Sequence, residues 1–257
     1  MMHLKNTLWI ESCKATRAKL PWFTVLGFMI VPLMCTFLIF INNNPELSRK
    51  LGLVSAKASM FGQAGDWPAY LNLVSQAVAI GGFFLFCLIL SWVFGREFAD
   101  GTLKDMLAVP VPRVSILMAK FIVVIVWCTL LTLEVYLVSL LMGVLMHLPM
   151  FSPQVLIQGG VRLMVAAALT VISVLPFALV ASAGRDYLLP LGMAVLTMVI
   201  SNVIAVAGWG EIFPWTVSGM YTQCIPLPMT SYVIVIATGL LGMIATYAWW
   251  MMADQSQ

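Results

Sequence analysis

The chain has 257 residues, of which 62% are hydrophobic and 9% charged; its mean hydropathy is +1.02 and its net charge +3. So apolar a sequence cannot be folded away in one soluble core. With so few charges and so small a net charge, nucleic-acid binding is improbable on electrostatic grounds.

Apolar runs of about 18 residues or more read as transmembrane helices, because about 20 residues cross the hydrocarbon core. Lipid admits only helices and closed barrels as spanning structures. The runs here are continuous rather than alternating, so the expectation is an all-α integral membrane protein. The five cysteines, Cys13, Cys35, Cys87, Cys128 and Cys224, form no C-x-x-C pair, and the pattern favours packing residues over a disulfide or zinc framework.

In chain order, residues 1–20 combine Leu4, Leu8, Trp9 and Ile10 with Lys5, Lys14, Arg17 and Lys19, the composition of a basic amphipathic helix at a membrane interface. A plain topogenic flank is the alternative. The first apolar run, Pro21 to Ile41, is too long for a signal-peptide core and reads as a retained anchor. Further spans are expected within Leu71 to Phe94, from beyond Lys120 toward His147, over Leu163 to Ala183, over Tyr187 to Ala207 and over Met229 to Met252.

Six spans place both termini on one side. Lys5, Lys14, Arg17, Lys19, Arg96, Lys104, Arg113, Lys120 and Arg185 then fall inside, against Arg49, Lys50, Lys57 and Arg162 outside. The positive-inside rule therefore puts both termini in the cytoplasm. Residues 209–228 hold Pro214, Gly219, Pro226 and Pro228 and read as an outer or re-entrant segment, since proline frees backbone groups that lipid cannot satisfy. A seventh span is the alternative. Residues 1–257 form one transmembrane domain.

The densest polar feature is residues 95–113, an island of charge between two spans carrying Arg96, Glu97, Asp100, Lys104, Asp105 and Arg113. Glu97 to Ala108 reads as a helix, with Phe98, Leu103, Met106 and Leu107 as its apolar stripe. Asp100 and Lys104 form an i,i+4 pair. Pro110 and Pro112 stop the helix. Such an amphipathic element suits docking of a soluble partner; a solvated loop is the plain alternative.

Two charges interrupt the spans. Glu134 lies fourteen positions beyond Lys120, about 21 Å along a helix, and Arg162 lies early in the fourth span. Intramembrane charges are functional candidates by default. One expectation is that Glu134 faces a polar cavity or subunit interface, where the long side chains allow it to meet Arg162. The alternative is a protonated Glu134 with Arg162 reaching the headgroups.

Glu97, Gly101-Thr102-Leu103, Leu107, Pro110, Pro112-Arg113 and Lys120 together resemble the pattern between the second and third spans of type-2 ABC exporter permeases. The basic first helix, the six spans and the proline-broken segment before the last span are similar too. The resemblance implies a permease subunit that pairs with a second, identical or homologous, and is driven by cytoplasmic ATP-binding subunits. It implies a cytoplasmic coupling helix over Glu97 to Leu107, including Phe98, Asp100, Thr102, Leu103 and Lys104, with Arg113 and Lys120 at the membrane edge. The short loops resemble bacterial permeases for antimicrobial peptides such as bacitracin and lantibiotics, which implies a bacterial cell membrane, lipid as surroundings and an amphipathic substrate. The sequence has no glycine-rich loop ending in Gly-Lys-Ser/Thr, so ATP and its magnesium belong to the partner subunit. His3 and His147 form no metalloprotease motif, which disfavours an intramembrane enzyme. A channel, a secondary transporter and a membrane scaffold are the other rivals.

Overall fold

The computed structural model describes residues 2–43, 65–99, 101, 111–184 and 186–252. Among the described residues all regular structure is helical: α1 Met2–Arg17, α2 Leu20–Asn43, α3 Trp67–Ala99, α4 Arg113–Leu145, α5 Pro153–Val174, α6 Phe177–Gly184, α7 Leu188–Val206, α8 Pro214–Thr222 and α9 Met229–Met252. Six segments are long and apolar enough to cross a membrane: Leu20–Ile41, Trp67–Phe98, Arg113–Leu145, Pro153–Gly184, Leu188–Val206 and Met229–Met252. The protein is an all-α, multi-pass membrane protein.

The second, third and fourth spans are longer than the apolar runs suggest. Helices α3 and α4 have 33 residues each, about 50 Å at 1.5 Å per residue, well beyond the hydrocarbon thickness. The third begins at Arg113 rather than after Lys120, because Pro112 sets the boundary and Lys120 is a buried member of the helix. The fourth is one span built of two helices. The chain turns at Leu175–Pro176 and resumes as α6, as expected where proline removes an amide donor.

Helices α3 and α5 pack along each other and hold the centre of the core with α4 and α6. Phe83 and Phe177 meet edge to face with centroids 5.8 Å apart, and Phe94 and Phe121 lie 4.8 Å apart. Helix α9 joins this centre through a seam of small residues. A Cβ at Gly242 would come within 2.5 Å of the Pro176 Cα, and one at Gly239 within 2.9 Å of the Ile172 carbonyl oxygen. Such contacts let membrane helices approach closely where lipid supplies no hydrophobic drive between them. Helix α7 is different: of its 19 residues, Pro190, Ala194 and Ser201 are buried.

Segment 209–228 contains α8, nine residues long, about 13 Å and too short to span. The helix packs beside α3 at Ala79, Ile80 and Phe83, near the midpoint of α3 rather than beyond its end. The Trp215 indole donates to the Ser173 carbonyl at 2.9 Å, and the Ser173 hydroxyl donates to the Pro214 carbonyl at 3.3 Å. Polar backbone freed by the proline at the start of α8 is thus satisfied by α5, as a low-dielectric setting requires.

Candidate functional site

Helix α1 turns Thr7, Glu11 and Ala15 inward, the i, i+4, i+8 stripe of one helix face, and packs chiefly on α4. Trp9 and Ile10 are exposed, on the side away from that stripe.

Where α1, α3 and α4 meet, four charges form a closed alternating square. Lys14 Nζ is 2.9 Å from Glu11 Oε1 and 3.0 Å from Glu97 Oε1. Lys120 Nζ is 2.9 Å from Glu97 Oε2 and 3.5 Å from Glu11 Oε2. Lys120 also donates to the Val93 carbonyl at 2.8 Å. The Lys120 and Glu97 side chains are 1% and 4% exposed. Two ammoniums and two carboxylates cancel, which is the condition for burying charge at tolerable cost. Burial by itself pulls the Lys14 ammonium down, but Glu97 and Glu11 more than offset it and hold its pKa above the ordinary 10.5.

Glu97 is thereby turned into its own chain. Its carboxylate is covered by Lys14 and Lys120, so its direct role is to hold α3 against α1 and α4. Phe98 meets Trp250 edge to face at 6.1 Å. Arg113 Nη1 donates to the Trp250 carbonyl at 2.8 Å, and the Trp250 indole donates to Ser182 Oγ at 3.0 Å. The ends of α3, α4, α6 and α9 are therefore tied at one level. Asp100, Thr102, Leu103, Lys104 and Leu107, with most of the expected coupling helix, lie outside the described residues. The segment they belong to is bracketed by the end of α3 and the start of α4.

Glu134 and Arg162 do not pair with each other. At Tyr221 of α8, burial pushes the phenol pKa up and the Arg162 charge partly offsets it. Glu134 makes no hydrogen bond or ion pair among the described residues. It lines a groove of about 690 Å³ walled by α1, the start of α2 and α4, with Leu8, Ala15, Val25, Ile122, Val126, Trp127 and Leu130 among the lining.

Glu11 and the ion pairs of Lys14 are the parts of this cluster that sequence reasoning missed. A signal was present: Glu11 is the sole acid in an otherwise basic segment, three positions before Lys14, and Lys120 sits within an apolar run. Intruding cations and a stray acid needed each other, but nothing in the sequence gave the helix packing that joins them.

The sequence matches the family model described as ABC-2 family transporter protein over residues 7–203. It is also 30% identical over 175 residues to the bacitracin transport permease protein BCRB of Bacillus licheniformis, a match covering 66% of this chain and 84% of that relative.

Proposed function

The chain belongs to the ABC-2 transporter family and is a transmembrane subunit of an ABC transporter that works with an ATP-binding subunit; on that premise we propose that it exports an amphipathic, peptide-like substrate. The observation that carries this reading is the family match across most of the chain, together with a relative named for bacitracin transport. The working unit in this reading is two permease subunits, identical or homologous, with two ATP-binding subunits. It sits in the bacterial cell membrane with both termini cytoplasmic. ATP and magnesium are bound and hydrolysed on the partner.

The geometry suits transmission of force. The ATP-binding subunit docks on residues 100–110 in this reading, with Leu103, Lys104 and Leu107 as contacts. Any displacement there passes to the bases of α3 and α4, its two covalent neighbours. The charge square transfers it to α1, and the Arg113–Trp250–Ser182 chain transfers it to α9 and α6. Helix α1 lies along the inner leaflet, with Trp9 and Ile10 toward lipid. The midpoint packing of α8 on α3 favours a re-entrant segment, with Trp215 and Ser173 holding α8 to α5.

ATP-dependent accumulation of bacitracin in inside-out membrane vesicles tests the reading. Vesicles carrying this chain and its ATP-binding subunit should accumulate the peptide with ATP and not with a non-hydrolysable analogue. Accumulation that survives removal of the ATP-binding subunit would turn the reading into that of a channel or secondary transporter.

A further inference from the structure

We propose that the groove between α1, α2 and α4 binds an amphiphile consisting of a long apolar chain and one cationic group, with the cation paired to Glu134. The proposal deepens the exporter reading by naming the chemistry of an amphipathic ligand, and it rests on that reading only for what the ligand is bound for.

The groove has about 690 Å³ of space, and its lining is almost wholly apolar apart from the Glu134 carboxylate, Ser12 and Thr16. From Ile122 to Glu134 it follows α4 for twelve positions, about 18 Å. Its shape is thus long, suited to an extended hydrocarbon. Burying that hydrocarbon against Leu8, Val25, Val126 and Leu130 gains dispersion contacts that a loosely packed lipid tail makes less well.

Glu134 decides the charge of the occupant. A carboxylate at this depth without a partner is costly, and the protein has shown how it treats such groups: Glu97 and Glu11 are matched by lysines from neighbouring helices. Glu134 has no such match among the described residues. A donor supplied by a ligand completes the site. An anionic amphiphile is repelled, and a neutral one leaves the carboxylate bare.

The aromatic wall of the groove also adjoins a cation already held by the fold. Arg96 lies 4.7 Å from the Trp92 ring centroid. Trp92 meets Trp127 edge to face at 6.3 Å, and Trp127 lines the groove. Indole faces attract cations in dry surroundings, so the aromatic pair beside the charge square already holds one cation, and its second member, Trp127, lines the groove.

The test is photolabelling of the full-length chain in phosphatidylcholine nanodiscs, without the ATP-binding subunit. The probes are a diazirine-bearing dodecylammonium and the matching uncharged dodecanol. The cationic probe should label peptides covering Leu8–Thr16 and Ile122–Glu134 about tenfold more than the alcohol, the order expected of one ion pair in low dielectric. Glu134→Gln should reduce that preference to within about twofold, and Glu134→Asp should retain it. Val126→Trp, which fills the groove, should lower labelling by both probes. Equal labelling by the two probes would mean the groove holds lipid tails only and would overturn the proposal. So would a cation preference that Glu134→Gln leaves intact, or labelling confined to other helices. Because the assay uses the permease chain alone, it can fail while an ATPase partner is still recovered, and it can succeed where none is.

Discussion

Two carboxylates in this chain meet opposite fates. Glu97 is buried within a complete square of charge, with Lys120 and Lys14 at 2.9 and 3.0 Å. Glu134 faces an apolar groove with no partner among the described residues. Both lie on long helices of the same bundle, but Glu97 is buried and Glu134 only half-buried. They differ further in whether the fold itself supplies the counter-charge. A carboxylate matched by its own chain holds elements together; one left unmatched is available to something else. Position in a charged loop therefore argues less strongly for a docking role than the absence of an internal partner does.

Removing one corner of the square should have the largest effect. Glu97→Ala leaves the Lys120 ammonium buried beside Glu11 alone, and we expect a loss of about 3–5 kcal/mol, read as a lowered midpoint of thermal unfolding in detergent. The double variant Glu97→Ala/Lys120→Ala should recover part of that loss, since neither charge is then stranded. A single variant as stable as wild type would mean that the square does not hold the helices.

The apolar counterpart of this joint is the seam of α9. Gly242→Val pushes a side chain into the Pro176 backbone and should cost about 1–3 kcal/mol, as overpacking does. The same unfolding measurement reads it. An unchanged midpoint would show that α6 and α9 can part freely.

Arg113→Ala removes one charge-assisted bond to the Trp250 carbonyl from a half-exposed side chain, with an expected cost of about 1 kcal/mol. Its larger signature should be in coupling: ATP hydrolysis by the assembled complex continues while ATP-dependent transport falls. Parallel loss of both would place Arg113 in assembly instead.

Lys14, about a third exposed at its side chain, should matter less than Lys120. Its pKa is raised in the folded protein, so its contribution is fully present below 10.5 and fades as pH rises through the raised value. The difference in stability between wild type and Lys14→Gln should therefore be constant through neutral pH and close in strong alkali. A difference that grows with pH has the wrong sign for this account. Glu134→Gln should have the smallest effect on stability, within about 0.5 kcal/mol, because no internal bond is lost.

The long apolar runs made the six spans and the all-helical class legible, because lipid leaves so few alternatives. The prolines of residues 209–228 marked helix boundaries for a local reason, the missing amide, whereas Pro112, read as the stop of a preceding helix, precedes the start of α4. The failures were all long-range. Lys120 read as a span boundary because a lone lysine in an apolar run looks expensive, and only the packing of α1 and α3 supplies Glu11 and Glu97. The expected Glu134–Arg162 pair failed for the same reason reversed: both charges intrude on apolar runs, but no ion pair joins them and Glu134 faces the groove walled by α1 and α2. Local pattern fixes where helices begin and end, and helix packing decides which charges meet.

The most direct test of the account is recovery of the ATP-binding subunit with the tagged chain in mild detergent, comparing wild type, Leu103→Asp and Glu97→Ala. The account predicts that a P-loop ATPase comes down with wild type and is lost with Leu103→Asp. With Glu97→Ala it should fall only in proportion to the folded protein that remains. Absence of any such ATPase from the wild type across several mild detergents would contradict it, and full recovery with Leu103→Asp would remove the docking surface from residues 100–110.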